Sequence, residues 1–213
     1  MSKDIYVQYG CGLSAPIEWN NFDASPTLLL QKMPIVGSIF KNKVNFPANV
    51  KYGNILKTLP GIKENTCHGI YCSHVLEHLS YNDFRLALKN TYLNLKPGGI
   101  FRCVLPDLEF SIKEYVNNLN IIPESASTIF LNNTMLGSKA RPKGLINFLI
   151  AAFGNSHHLW MHDQYSLKYE LAKAGFVEIR KCNYNDSRDA MFKLVEEESR
   201  FINAVSFECF KPL

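Results

Sequence analysis

Short apolar runs alternate with helical segments along the first half of this chain, and that order constrains the fold more than any single residue does. Ile5 to Tyr9 reads as a buried strand ending at a glycine turn, and Trp19 to Asp23 reads as a second short strand. Thr27 to Lys32 follows Ser25-Pro26 as a short helix, with proline near the first helical position. Val50 to Gly53 and Thr66 to Ser73 supply a third and a fourth strand. The clearest helix is Asn82 to Leu95, where Phe84, Leu88, Thr91 and Leu95 fall on one face at spacings of three and four. It is expected to stop at Lys96-Pro97-Gly98-Gly99, before a buried strand from Ile100 to Leu105 that Pro106 halts. Strands separated by helices need crossover connections, so the sheet must be largely parallel.

From Asp107 to Phe153 the pattern turns mainly helical, with segments predicted at Leu108–Leu119, Ser125–Leu136 and Leu145–Phe153. That stretch is too long for a simple crossover, so residues 107–160 are expected to form a helical cap within one domain spanning 1–213. Asp163 can cap a further helix that turns Leu167, Leu171 and Ala174 inward and stops at Gly175. Phe176 to Arg180 and Val205 to Lys211 are the last strands. The expected fold is a Rossmann-like three-layer α/β/α sandwich. Its sheet is mostly parallel with an antiparallel last strand, and the helical insertion follows strand five.

Composition removes several function classes. The 213 residues suffice for one core and are short for two. No apolar run approaches the ~18 residues of a membrane span, and the first residues read as lacking a secretory signal. The net charge of +4 is too weak and dispersed for nucleic acid, and the loose cluster Lys139 to Lys143 reads as a solvated loop. Six cysteines show no paired or zinc-type spacing, so a reducing cytoplasm is expected.

Strand, then Gly10-Cys11-Gly12, then a second strand ending in Asp23 is a nucleoside-cofactor layout. Glycines let the backbone approach a ligand, and an acid ending strand two can accept hydrogen bonds from both ribose hydroxyls. A dinucleotide fingerprint places its acid ~20 residues after the first glycine, whereas Gly10 to Asp23 is 13 positions. Ala15-Pro16 then cuts short the helix N-terminus that a pyrophosphate prefers, so a cofactor without phosphates fits better.

With these residues the chain resembles the class I S-adenosylmethionine-dependent methyltransferases, and more narrowly the small bacterial members of type 11 pattern. The resembling residues are Tyr9-Gly10-Cys11-Gly12, Asn21-Phe22-Asp23 with Ser25-Pro26, Gly53-Asn54-Ile55, Ser73-His74-Val75-Leu76-Glu77-His78-Leu79 and Leu95-Lys96-Pro97-Gly98-Gly99-Ile100. Trp160 through Ala174-Gly175-Phe176 also fits. The resemblance implies S-adenosyl-L-methionine as cofactor and an acceptor that is a small molecule or a glycan precursor. It implies that Tyr9, Gly10, Cys11 and Gly12 face the methionine part, that Asp23 holds the ribose, and that Asn54 and Ile55 meet the adenine. Asn54 stands where the family usually has aspartate, which keeps an acceptor oxygen and loses the charge. Ser73 and His74 would line the cofactor at the end of the fourth strand.

Methyl transfer from a sulfonium needs mainly positioning, plus a base when the acceptor is a hydroxyl or a protonated amine. His74, Asp107 and His162 are the candidates, with His157 and His158 beside them. His74-x-x-Glu77-His78 also spells an inverted zinc-peptidase motif, but that motif needs a continuous helix and His74 ends a strand. Some methyltransferases of this broad class hold magnesium with Glu-x-x-Glu-His. Here His74 replaces the first glutamate, so no metal is expected. Phe130 and Trp160 could line an acceptor pocket, and 145–153 could touch a membrane surface. Two rivals remain open: a nicotinamide-dependent oxidoreductase on a similar sheet, and a non-enzymatic member that binds the cofactor or a partner.

Overall fold

The computed structural model describes residues 4–32, 45–139 and 157–213. Seven strands form one sheet: β1 (Ile5–Tyr9), β2 (Asn20–Asp23), β3 (Lys51–Tyr52), β4 (Cys67–Ser73), β5 (Leu95–Pro106), β6 (Val177–Lys181) and β7 (Ala204–Phe210). Their order is β3-β2-β1-β4-β5-β7-β6. All neighbours from β3 to β5 run parallel, and β7 runs antiparallel to both β5 and β6. The helices among the described residues are α1 (Pro26–Gln31), α2 (Tyr81–Asn94), α3 (Leu108–Ile121), α4 (Pro123–Asn133) and α5 (Gln164–Lys173). This is the Rossmann-like α/β arrangement expected from the alternation, with the antiparallel strand last in the chain.

Period-two alternation divides the strands between two cores. Val7 and Tyr9 of β1 join Ile70, Cys72, Phe101, Cys103 and Phe207 on one face, under Phe84 and Leu88 of α2 and Leu167 and Leu171 of α5. Each such buried side chain contributes roughly 1.5–3 kcal/mol. Tyr6, Tyr71, Ile100 and Val104 point to the other face and meet Trp19, Phe192 and Val195. There the cover is a loop with short 3₁₀ turns at Ala190–Leu194 and Glu198–Phe201 rather than a long helix. Helix α2 starts at Ser80, whose hydroxyl accepts from the Asp83 amide and donates to its carboxylate. Helix α5 starts at Asp163 as expected, with the Tyr165 and Ser166 amides on its carboxylate.

Most boundaries differ from the sequence reading by one to three residues, and one differs in kind. Lys96-Pro97-Gly98-Gly99 is not a spacer before β5. The strand begins at Leu95, paired with Cys67, and resumes with Ile100 against Gly69, so the four residues form a bulge inside it. Gly98 adopts φ +72°, and the bulge is tied to the C-terminal segment by Gly98 N–H to Lys211 O and Lys211 N–H to Gly99 O.

Helices α3 and α4 are the described part of the expected insertion. Helix α3 buries no residue and exposes Phe110, Ile112, Val116, Leu119 and Ile121. The helix expected at 145–153, its suggested membrane contact and most of the Lys139 to Lys143 cluster lie outside the described residues. No helix among the described residues is long and apolar enough to cross a membrane.

The two edges of the sheet are unlike. Strand β3 is two residues long, whereas β6 carries Glu178, Arg180 and Lys181, with a register shift between Val177 and Arg180 and Glu178 at φ +49°.

Candidate functional site

Parallel strands deliver their C-terminal loops to one edge of the sheet, and a large cavity lies there. It measures about 790 Å³ and takes Tyr9 and Gly10 from the end of β1, Asp23 from β2, Tyr52 to Leu56 after β3, and His74 and Val75 after β4. His78, Leu79 and Asp83 close its other side.

Gly10 is left-handed at φ +65°, and a Cβ there would lie 2.1 Å from Val75 Cγ2. The turn after β1 is thus seated directly on the turn after β4. Gly12 is also left-handed, at φ +56°, but its Cβ position is open. Asp23 is buried at 8% exposure and holds this turn in place. One carboxylate oxygen accepts from the Gly12 amide at 3.0 Å and the other from the Ser25 amide at 2.7 Å. A carboxylate offers about four lone-pair sites, so two remain for a ligand. Asn54 Oδ1 accepts from the Leu56 amide at 2.9 Å, which fixes the side chain and leaves one lone pair. Ile55 is buried beside it, and the Asn90 side chain holds its carbonyl at 2.7 Å.

His74 carries an unusual backbone. Its φ is +53°, a left-handed conformation that a side chain rarely adopts and that costs of order 1–3 kcal/mol. Its amide bonds to Val104 O at 2.9 Å, and its Nε2 lies 3.0 Å from Arg200 O. A carbonyl can only accept, so Nε2 carries the hydrogen and Nδ1 keeps its lone pair. Burial holds the imidazole below its usual range, so it is neutral at pH 7. Nδ1 lies 3.5 Å from Oε1 of Glu77, whose side chain is fully buried and whose carboxyl burial pushes up to about 8.

Of the residues nominated from sequence, Tyr9, Gly10, Asp23, Asn54, Ile55 and His74 line the crevice together. Tyr9 does so with its ring alone, since its hydroxyl turns into the core against Thr91 Oγ1 at 3.2 Å. Cys11 and Ser73 line an adjoining void of about 20 Å³ that shares Gly10. Gly12 lines neither and is held against Asp23. Asp107 and His162 stand apart from the crevice. They form a bridge with each other, Leu108 N–H to His162 O at 3.0 Å, while the Asp107 carboxylate caps α3 through the Glu109 amide. The His162 ring is buried against Phe84, centroids 4.3 Å apart, and burial lowers its pKa to about 4. Trp160 packs at a tilt against Tyr81 and Phe130 against Tyr115, and neither lines the crevice. Helices α3 and α4 contribute no lining residue among those described, so this part of the insertion does not cover the crevice.

Sequence reading did not nominate Tyr52, Leu56, Val75, His78, Leu79 or Asp83 as lining residues. For His78 a signal was present, the second histidine of the His74-Val75-Leu76-Glu77-His78 run. The others bring ordinary apolar or capping side chains, which nothing in the sequence marks.

Solved structures with this architecture were found by comparison. A SAM-dependent methyltransferase of Thermotoga maritima, described as a possible histamine N-methyltransferase, is 15% identical, covers 99% of this chain and 84% of its own, and superposes with a TM-score of 0.52. One from Archaeoglobus fulgidus is 14% identical over 99% of this chain and 87% of its own, with a TM-score of 0.51. The fold is that of the class I SAM-dependent methyltransferases. A putative methyltransferase of Haloferax volcanii, solved in complex with the Trm112 methyltransferase activator, gives a TM-score of 0.50 at 13% identity, over 99% of this chain and 84% of that one. No family model matches the sequence, and no curated protein does. In the class I methyltransferase fold the crevice described above lies at the carboxyl ends of the parallel strands, where the strand order reverses between β1 and β4.

Proposed function

We propose that this chain transfers a methyl group from S-adenosyl-L-methionine to a small-molecule or sugar acceptor. One observation carries the reading. A crevice of about 790 Å³ brings a buried carboxylate with spare lone pairs, a side-chain-free turn and the Asn54-Ile55 wall together at the carboxyl ends of the strands. The residues present fit the cofactor. Asp23 would take the ribose hydroxyls, Asn54 Oδ1 the adenine amino group with Ile55 against the ring, and Gly10 the amino-acid arm. When bound, S-adenosyl-L-methionine supplies a sulfonium methyl group already activated for in-line displacement.

The chain's own task is then to hold the acceptor and manage one proton. Where the acceptor is a hydroxyl or a protonated amine, His74 receives that proton at Nδ1, because Nε2–H is committed to Arg200 O. Asp107 and His162 are not among the residues that line the crevice, so we assign the proton to His74 rather than to them. A sugar of surface-glycan biosynthesis is the acceptor class that the family resemblance favours. The buried, free cysteines suit a reducing compartment.

Thermal shift with S-adenosylhomocysteine and, separately, with NAD tests the reading. Stabilisation by S-adenosylhomocysteine alone is expected. Stabilisation by NAD alone would replace it with a nicotinamide-dependent oxidoreductase.

A further inference from the structure

Glu77 is the least explained residue of the molecule. Its side chain is 0% exposed, and among the described residues neither carboxylate oxygen has a hydrogen-bond partner. A fully buried, unpartnered carboxyl group is among the most unfavourable arrangements a protein can hold. What surrounds it is imidazole. His78 Nε2 and His158 Nε2 each lie 4.0 Å from Glu77 Oε1, and these three ligand atoms lie within 4.8 Å of one another.

The histidines are turned as ligands would be. His78 Nδ1 sits 2.9 Å from the His157 carbonyl, so Nδ1 carries the hydrogen and Nε2 presents its lone pair to Glu77. His158 is brought in from far along the chain and fastened. Its amide bonds to Met135 O, while the next two amides, Leu159 and Trp160, both bond to the carbonyl of Glu77 itself. The two rings meet edge to face with centroids 5.0 Å apart. Tetrahedral zinc, with bonds of ~2.0–2.1 Å, wants its ligand atoms roughly 3.3 Å apart, so separations of 4.0 Å, and of at most 4.8 Å between the imidazoles, must close by roughly 0.7 to 1.5 Å, shared between the side chains of each pair.

We propose that Glu77, His78 and His158 bind a divalent transition metal, zinc by preference, through Oε1 and the two Nε2 atoms. Two imidazoles and one carboxylate suit a borderline ion and not magnesium, which wants an octahedron of oxygens. Three protein ligands leave a fourth position open, and His74 Nδ1 lies 3.5 Å from the same carboxylate oxygen. Because His74 and His78 both line the crevice, the ion would sit in its wall; that placement on the acceptor side rests on the methyl-transfer reading, whereas metal binding does not.

The full chain, freed of metal with a chelator, is titrated with Co²⁺ in the absence of any S-adenosyl compound. One Co²⁺ per chain is expected, with visible d–d bands, no thiolate charge-transfer band, displacement by Zn²⁺ and none by Mg²⁺. Glu77→Gln and His158→Gln should each weaken Co²⁺ binding by more than about 10-fold. Should either variant fail to fold, proton NMR of the Co²⁺-loaded parent decides, through a hyperfine-shifted exchangeable signal from the His78 Nδ1–H. Absence of the d–d bands or of that signal, a thiolate band, or unaltered affinity in folded variants would overturn the site and leave the methyl-transfer reading standing.

Discussion

Asp23 carries two duties at once, and they can be separated. Its carboxylate holds the Gly12 and Ser25 amides and, in the proposed function, the ribose as well. Asp23→Ala should weaken S-adenosylhomocysteine binding by about 1–3 kcal/mol in calorimetric titration and also lower the melting temperature. Asp23→Asn keeps one acceptor oxygen and should fall between. Unchanged affinity in a folded Asp23→Ala would remove the residue from the site. His162 gives a second test at this scale. Burial holds its ring neutral in the folded state, with its pKa lowered to about 4 from the ordinary 6.5 of a histidine. Between those values the unfolded chain binds the proton and the folded one does not, so stability is full above pH 6.5 and falls as pH drops. The loss between pH 6.5 and 5 is about 2 kcal/mol from this group, and His162→Gln should flatten the pH dependence of urea unfolding by that amount.

At the scale of elements, the turn after β1 is locked to the turn after β4. An added methyl at Gly10 would collide with Val75, whereas at Gly12 it meets only space. Gly12→Ala should therefore cost about 1–2 kcal/mol, the left-handed backbone alone, and Gly10→Ala clearly more, as read from denaturant midpoints. Elements of this kind were the most legible part of the sequence. The apolar periods of β1, β4 and α2 marked them, and Ser25-Pro26 and Asp163 marked two helix starts. The order Gly10, Asp23, Asn54, His74 marked four walls of one crevice. Pro97-Gly98-Gly99 misled because local chemistry says stop, while pairing of Leu95 with Cys67 and the bonds to Lys211 keep the strand going. Asp107 and His162 were nominated from position alone, which says nothing about which way a side chain turns: one caps a helix and the other packs on Phe84.

Across the whole molecule, one buried cation draws the late segments together. Arg102 of β5 is 0% exposed and donates to Glu196, Glu208 and Asp186, and to the Asn183 carbonyl. Arg180 of β6 reaches the same Glu208 and Asp186. No sequence window reveals this, because the acidic partners lie 84 to 106 positions away from Arg102. Arg102→Met leaves the buried Glu196 without its counter-charge and Glu208 with Arg180 alone, and should cost about 3–5 kcal/mol in urea unfolding. The same part of the chain also ends the sheet. With Glu178, Arg180 and Lys181 along a shifted β6 and only Lys51 and Tyr52 at the opposite margin, neither border is a long, regular, apolar strand among the described residues. A neighbouring copy therefore finds no template on which to stitch itself, and at high concentration the molecule is protected from zipping into ribbons.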